Sequence, residues 1–215
     1  MKVKIIAALL LITSLSFAQF SPGKLLIGGQ GGYNTTKQGQ GANSSKAENF
    51  GILPMLLIQL DSSVSIGLSG GFIKQDLGNS KNKEWKVGPV VRIQNKWKEH
   101  ASFYFQLGVF YMNGTGTTRY DSYNMYSYYS INQNQTYTGL SSQLLPGVNY
   151  KLSKHFFLDL GYGQLAYEMI DIDYSYPAFY TNYYTAYPPT STTNINAFTV
   201  DLSLQSLRVG AIYMF

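Results

Sequence analysis

The feature that most constrains this chain is an alternation with a period of two. Between Ser102 and Tyr111, the residues Phe103, Phe105, Leu107, Val109 and Tyr111 take every second position, against Ser102, Tyr104, Gln106 and Gly108. Such alternation puts an apolar set on one face of a β-strand and a small or polar set on the other. Helical periodicity is poor throughout, so the fold has to be built from sheet.

Seven further stretches carry the pattern. Strand one covers about Lys24–Tyr33, with Leu25, Ile27 and Tyr33 on one face. Strand two covers Phe50–Leu60, with Phe50, Ile52, Leu56, Ile58 and Leu60 in phase, and a tight turn, Asp61-Ser62-Ser63, follows. Strand three resumes at Val64, with Ile66, Leu68 and Phe72 against Ser65, Gly67, Ser69 and Gly71. Strand four sets Trp85, Val87, Val91 and Ile93 against Lys86, Gly88, Arg92 and Gln94, and the turn Asn95–His100 leads to the strand described first. Strand six, Gly139–Leu152, sets Leu144, Val148, Tyr150 and Leu152 against Gln143, Gly147, Asn149 and Lys151. Strand seven, Phe156–Tyr167, sets Phe156, Leu158, Leu160 and Tyr162 against Asp159, Gly161 and Gly163. Strand eight, begun as early as Phe198, closes with SLRVGAIYMF, where Leu207, Val209, Ala211, Tyr213 and Phe215 share a face. Its phase slips between Leu204 and Leu207, which predicts a bulge near Gln205-Ser206 or a start after it.

The links alternate in length. Those after strands two, four and six are short; those after one, three, five and seven cover about Asn34–Asn49, Lys74–Glu84, Asn113–Thr138 and Glu168–Ala197. An even strand count with short turns at one end and long loops at the other predicts an all-β fold, an eight-stranded antiparallel up-and-down transmembrane β-barrel. A closed barrel leaves no unpaired edge and so can sit in lipid. Composition agrees. Charged residues are 13% of the chain, about half the usual share, whereas aromatic residues reach 15%, with 19 tyrosines.

Met1–Ala18 has Lys2 and Lys4, an apolar run from Ile5, and the small-residue exit Ser16-Phe17-Ala18. That is the pattern of a cleaved signal peptide, and its apolar run falls short of the about 20 residues of a membrane helix. Residues 19–215 are then one barrel domain, expected in the cell outer membrane. Without Lys2 and Lys4 the net charge falls from +5 to +3, spread along the chain, so nucleic acid is not an expected partner. The chain has no cysteine, so no disulfide or thiolate metal site can form. The competing fold is a soluble lipocalin-like barrel with its apolar face inward. Against it stand Lys86, Arg92, Lys151, Asp159 and Arg208 on the polar face, and Phe50, Trp85, Tyr111, Phe156, Tyr162, Tyr213 and Phe215 near the strand ends.

The stretches NFGILPMLLIQLDSSVSIGLSGGF, GPVVRIQNKWKEHASFYFQLGVFY and QLLPGVNYKLSKHFFLDLGYGQLAY resemble the successive hairpins of small outer-membrane β-barrel domains of the Bacteroidetes type, akin to OmpA-like and OmpX-like barrels. The resemblance covers the mature chain. It implies fold and location and brings no catalytic residues with it. It also implies that Tyr213 and Phe215 serve as the signal read by the outer-membrane barrel-assembly machinery.

Candidate sites are few. GGQGG at Gly28–Gly32 lacks the Gly-Lys-Ser/Thr of a phosphate loop and reads as a slim strand. His100 and His155 fall in short turns. Glu168, Asp171 and Asp173 form an acidic group at the start of a mobile loop, with no nucleophile beside it. No catalytic, cofactor-binding or metal residue is therefore assigned. A narrow lumen is filled by side chains, and Lys86, Arg92, Gln106, Asn149, Lys151, Asp159 and Arg208 are expected to form a polar network there, with Tyr104 and Gln143 filling hydrogen-bond needs and Arg208 paired to Asp159. The long loops hold twelve of the 19 tyrosines. Tyr120, Tyr123, Tyr126, Tyr128, Tyr129, Tyr176, Tyr180, Tyr183, Tyr184 and Tyr187 are read as an interaction surface for a glycan or a protein, since binding loops favour tyrosine with Ser and Asn, while outer-membrane lipid and lipopolysaccharide are the expected partners of the barrel itself. The expected function is a non-enzymatic outer-membrane protein with a structural or surface-interaction role. Alternatives are a secreted lipocalin-like ligand binder, a lipid A-modifying enzyme, and a component of an envelope secretion or motility complex.

Overall fold

The computed structural model describes residues 22–38, 45–123, 128–175, 190–202 and 207–215. The expected signal peptide at Met1–Ala18 and the expected bulge at Gln205-Ser206 lie outside the described residues. Among the described residues there are ten strand segments: β1 (Leu25–Gln38), β2 (Ser45–Gln59), β3 (Val64–Asp76), β4 (Ser80–Lys98), β5 (Ala101–Tyr123), β6 (Tyr128–Lys151), β7 (Phe156–Gly161), β8 (Gln164–Ser175), β9 (Thr190–Asp201) and β10 (Arg208–Met214). Each pairs antiparallel with its neighbours, and β1 pairs with β10 from Leu26↔Met214 to Gly31↔Val209, which closes the ring. β7 and β8 are two halves of one stave, both beside β6, and β9 and β10 are halves of the next. The molecule is a closed eight-stranded antiparallel β-barrel.

The period of two decides which side chains go inside. On β4, Lys86, Gly88, Val90, Arg92 and Gln94 are buried, while Trp85, Val87, Val91 and Ile93 are exposed. On β5, Phe103, Phe105, Leu107, Val109 and Tyr111 all point outward. At about 3.4 Å per residue, that run covers about 27 Å of strand, or about 21 Å of height at a tilt near 40°. Aromatic residues bound the band at both ends. Tyr33, Phe50, Phe72, Trp85 and Tyr111 mark one end, and Trp97, Phe103, Tyr150, Phe156, Tyr213 and Phe215 mark the other. Trp85 packs on Tyr111 with ring centroids 5.6 Å apart, and Trp97 on Phe103 at 4.8 Å.

The short turns are built by side chains. Asp61 Oδ1 accepts the Ser63 N–H at 2.6 Å, the Ser63 hydroxyl at 2.9 Å and the Val64 N–H at 2.8 Å, an Asx turn. Ser153 Oγ takes the N–H groups of His155 and Phe156.

Strand seven of the sequence reading is not continuous. Gly147 faces Gly161, and Leu144 faces Leu165, so the β7–β8 side carries one residue more than β6. Pro146 opposite has no N–H to offer; its carbonyl accepts the Tyr162 N–H at 3.1 Å, and Gly163 turns the chain with φ of 77°. The extra residue shifts the outward set from Phe156, Leu158, Leu160 and Tyr162 to Leu165, Tyr167 and Met169. The neighbouring stave breaks at the same level. It begins at Thr190 rather than near Phe198, and its second half starts at Arg208.

The long links also differ from expectation. Lys74–Glu84 is mostly strand, and only Leu77–Asn79 separate β3 from β4. Of Asn113–Thr138, all but residues 124–127 continue β5 and β6, paired to Tyr123↔Tyr128. Most of Asn34–Asn49 is strand, and Glu168–Ala197 is strand up to Ser175 and again from Thr190. Low apolarity reads as loop, but a strand that rises beyond the apolar belt has no apolar demand on its outer face and loses that half of its pattern.

Candidate functional site

The lumen has two parts. Toward the short turns it is packed. Arg92 and Asp159 are 1% and 0% exposed and meet at 3.1 Å between Nη2 and Oδ2. Arg92 Nε and Nη2 also donate to Gln106 Oε1 at 3.0 and 2.7 Å, Nη1 to Asn149 Oδ1 at 3.5 Å, and its guanidinium lies 4.0 Å from the centroid of the Tyr104 ring. Gln30 Nε2 donates to the Tyr104 hydroxyl at 2.5 Å and to Asp159 Oδ2 at 3.0 Å. Below this knot Leu26, Leu57, Phe157 and Ile212 are fully buried. The small residues around it are required by closeness: a Cβ on Gly147 would lie 2.2 Å from Tyr104 Cζ.

Toward the long strands the lumen opens into a vestibule of about 550 Å³. The expectation of a lumen filled along its whole length is thus corrected. On the inner face of β6, Ser141 and Gln143 form a ledge with a charge at each end. Lys86 Nζ donates to Gln143 Oε1 at 3.0 Å, Gln143 Nε2 to Ser141 Oγ at 3.1 Å, and Ser141 Oγ to Glu168 Oε1 at 3.3 Å. Opposite them, Arg208 donates to Gln164 Oε1. The expected Arg208–Asp159 pair does not form: β10 pairs with β7 so that Arg208 lies across from Gly161, while Asp159 faces Gly210 and turns to Arg92. Glu84 lines the same space beside Asn49, whose buried Oδ1 has no hydrogen-bond partner. Leu53 and Ile73 on one wall and Ala166, Ile170 and Ile172 on another supply apolar surface.

Of the seven residues expected in the lumen network, Arg92, Gln106, Asn149 and Asp159 come together in the knot, and Lys86 and Arg208 lie in the vestibule. Lys151, half-buried, sits at the short-turn end, where its N–H donates to the His100 carbonyl. Sequence reasoning named Tyr104 and Gln143 only as helpers and missed Gln30 and Ser141; their alternation with apolar neighbours was the available signal. The acidic group does not converge. Glu168 points inward, and Asp171 and Asp173 are exposed on the opposite face of β8, which is a strand here and not the start of a loop. Among the described residues no three His, Asp or Glu side chains come together as metal ligands.

Of the tyrosines read as a loop surface, Tyr120 is exposed on β5, opposite Ile131, and Tyr123, Tyr128 and Tyr129 are strand positions near the tip of the β5–β6 hairpin. Tyr126, Tyr176, Tyr180, Tyr183, Tyr184 and Tyr187 lie outside the described residues. His155 Nδ1 is 2.9 Å from the Met214 carbonyl, and its ring stacks on Tyr213 at 5.9 Å. Tyr213 meets Phe215 edge-on at 4.7 Å, and both rings are exposed.

No family model and no curated protein matches the chain. The solved structures similar to it include the following three. Neisserial surface protein A has 13% identity and a TM-score of 0.46, over 90% of this chain and 97% of that one. The outer membrane protein OprG from Pseudomonas aeruginosa has 12% identity and a TM-score of 0.46, over 92% and 99%. Ail, the attachment invasion locus protein of Yersinia pestis, has 12% identity and a TM-score of 0.35, over 90% and 99%.

Proposed function

We propose that this protein is a non-enzymatic outer-membrane β-barrel of the small Bacteroidetes type whose wall carries a surface for contact outside the cell. The observation that supports this best is the band from Phe103 to Tyr111 and its counterparts around the ring, an exposed apolar belt with aromatic residues at both ends. In water so large an apolar surface would drive association; in a bilayer it is the expected exterior, about 25 Å tall. The secreted lipocalin-like alternative needs the reverse, an apolar interior, but here Lys86, Arg92, Gln106, Gln143, Asn149 and Asp159 are inside. A lipid A-modifying activity draws no support from the histidines, since His155 is engaged at a short turn and His100 lies in another, away from the vestibule.

In this reading the short turns face the periplasm, where Tyr213 and Phe215 are offered to the barrel-assembly machinery. The long strands rise through the lipopolysaccharide layer. The β5–β6 hairpin, tipped by Tyr120, Tyr123, Tyr128 and Tyr129, is the contact surface for a glycan, a protein or a second component of an envelope complex.

Two measurements test this. The protein should need detergent for extraction and should migrate differently on a gel before and after boiling; release by osmotic shock alone would overturn the membrane assignment. Joining Gly116 directly to Gln135, which are register partners, removes the hairpin tip and only the outermost rungs to β4 and β8. Cells carrying that variant should lose adhesion to glycans, matrix or partner cells; unchanged adhesion would leave the hairpin as mere wall.

A further inference from the structure

The vestibule carries charges of both signs that do not neutralise each other directly. Lys86 and Glu168 stand at the two ends of the Gln143-Ser141 ledge, and every hydrogen bond along it points from the cation to the anion. Lys86 is only 4% exposed, and its ammonium lies 5.2 Å from the centroid of the Phe110 ring. Arg208 is likewise held by an amide oxygen rather than a carboxylate. Among the described residues Lys86 forms no ion pair with Glu84 or Glu168, and the Asp201 carboxylate lines the cavity together with Arg208. A structural ion pair would be expected to close directly, because burying separated charges is costly. Here two neutral groups hold the signs apart. A cavity of about 550 Å³ lies over them, within the range that holds drug-sized molecules. Asn49 adds a buried acceptor with no donor, and Leu53, Ile73, Ile170 and Ile172 add apolar walls.

We infer that the vestibule binds a short peptide with both termini free. The peptide carboxylate lies against Lys86 and Arg208, its ammonium against Glu168 and Glu84. Its backbone N–H groups find acceptors such as Asn49 Oδ1, and its apolar side chains meet the Leu53–Ile73 and Ile170–Ile172 walls. A molecule with only one charge satisfies one end of the ledge and desolvates the other without compensation, so both blocked forms are rejected.

The test is isothermal titration of the detergent-purified mature barrel with Leu-Leu, N-acetyl-Leu-Leu and Leu-Leu amide. Saturable binding of Leu-Leu alone is expected. Lys86→Met and Glu168→Gln should each weaken it by about tenfold or more, and Lys154→Ser, in the exposed short turn before β7, should leave it unchanged. Heat-shifted gel mobility checks that each variant is folded. No binding of Leu-Leu, equal binding of the blocked peptides, or folded variants that bind like the parent would each overturn the inference. If Lys86→Met does not fold, Glu168→Gln and the blocked peptides on the unaltered chain decide the matter. The result does not depend on the adhesion of the β5–β6 hairpin, so the two readings fail separately.

Discussion

Arg92 holds the closed half of the lumen together, and its removal alone leaves the Asp159 carboxylate buried without a counter-charge. Arg92→Met should therefore cost about 3–5 kcal/mol, read as a lower urea midpoint in detergent or vesicles. Arg92→Met with Asp159→Asn should recover most of it, since two neutral groups need no pairing. Glycines separate as sharply. A Cβ on Gly88 would lie 1.8 Å from the Val109 carbonyl oxygen, whereas at Gly31 the nearest atom is 3.6 Å away. Gly88→Ala should displace the β4–β5 ladder and lower the midpoint by roughly 1–3 kcal/mol, and Gly31→Ala should be near neutral. At the short-turn end, the Ser63 N–H, the Ser63 hydroxyl and the Val64 N–H hold the Asp61 carboxyl below its usual value of 3.8. A depressed native pKa means that the turn's contribution is fully present above the unfolded value and is lost as pH falls through the lower, folded one. Asp61→Asn should flatten that acid limb in a refolding series from neutral pH downward. The inward and outward identities of these residues could be read from sequence. Their partners could not: Arg208 was matched to Asp159 because both carry charge on polar faces, but the choice depends on the β7–β10 register, which alternation does not encode.

At the scale of the element, phase was legible and length was not. The alternation gives Trp85, Val87, Val91 and Ile93 of β4 and Phe103 to Tyr111 of β5 as one outward face, which they are, while Trp97, assigned to a turn, is an exposed residue of β4; the outside of the wall and the lumen make opposite demands on neighbouring side chains. Above the apolar band only the lumen side is constrained, so Thr115–Tyr123 and Tyr128–Thr138 looked like loop while the backbone went on pairing. The bulge at Tyr162-Gly163 was hidden for another reason. Gly161, Gly163 and Gln164 are all plausible lumen residues, so a shift of one position left little mark on the pattern. The Gly116–Gln135 fusion bears on this as well. If the upper hairpin is a continuation and not a support, the shortened barrel should keep its heat-shifted mobility, with a urea midpoint close to that of the full chain. A large fall would mean that the extension stabilises the wall below it.

For the whole molecule, alternation, even strand number and unequal links were enough to give a closed barrel before any geometry was known; the partly hollow lumen was not, because packing of a cross-section depends on which rings share a level. Among the described residues β9 pairs with β8 alone, whereas β4 and β5 are paired on both sides. In hydrogen exchange, the β9 amides that point away from β8 should therefore exchange early, and those of β4 and β5 late.

The ring is also unequal around its circumference. β5 and β6 are laced from Ala101↔Tyr150 to Tyr123↔Tyr128, but β1 and β10 only from Leu26↔Met214 to Gly31↔Val209. Among the described residues β10 is held equally on both sides, but the stave it shares with β9 is held on its other side by the β8–β9 ladder as well as the β7–β10 one, so a tensile load across the ring meets its least resistance at the β1 seam. The barrel then behaves mechanically like a bracelet with one clasp. It opens at the junction of its first and last strands while the β2–β6 sheet stays whole, and the same clasp is the last to fasten when the strands are laid down in order.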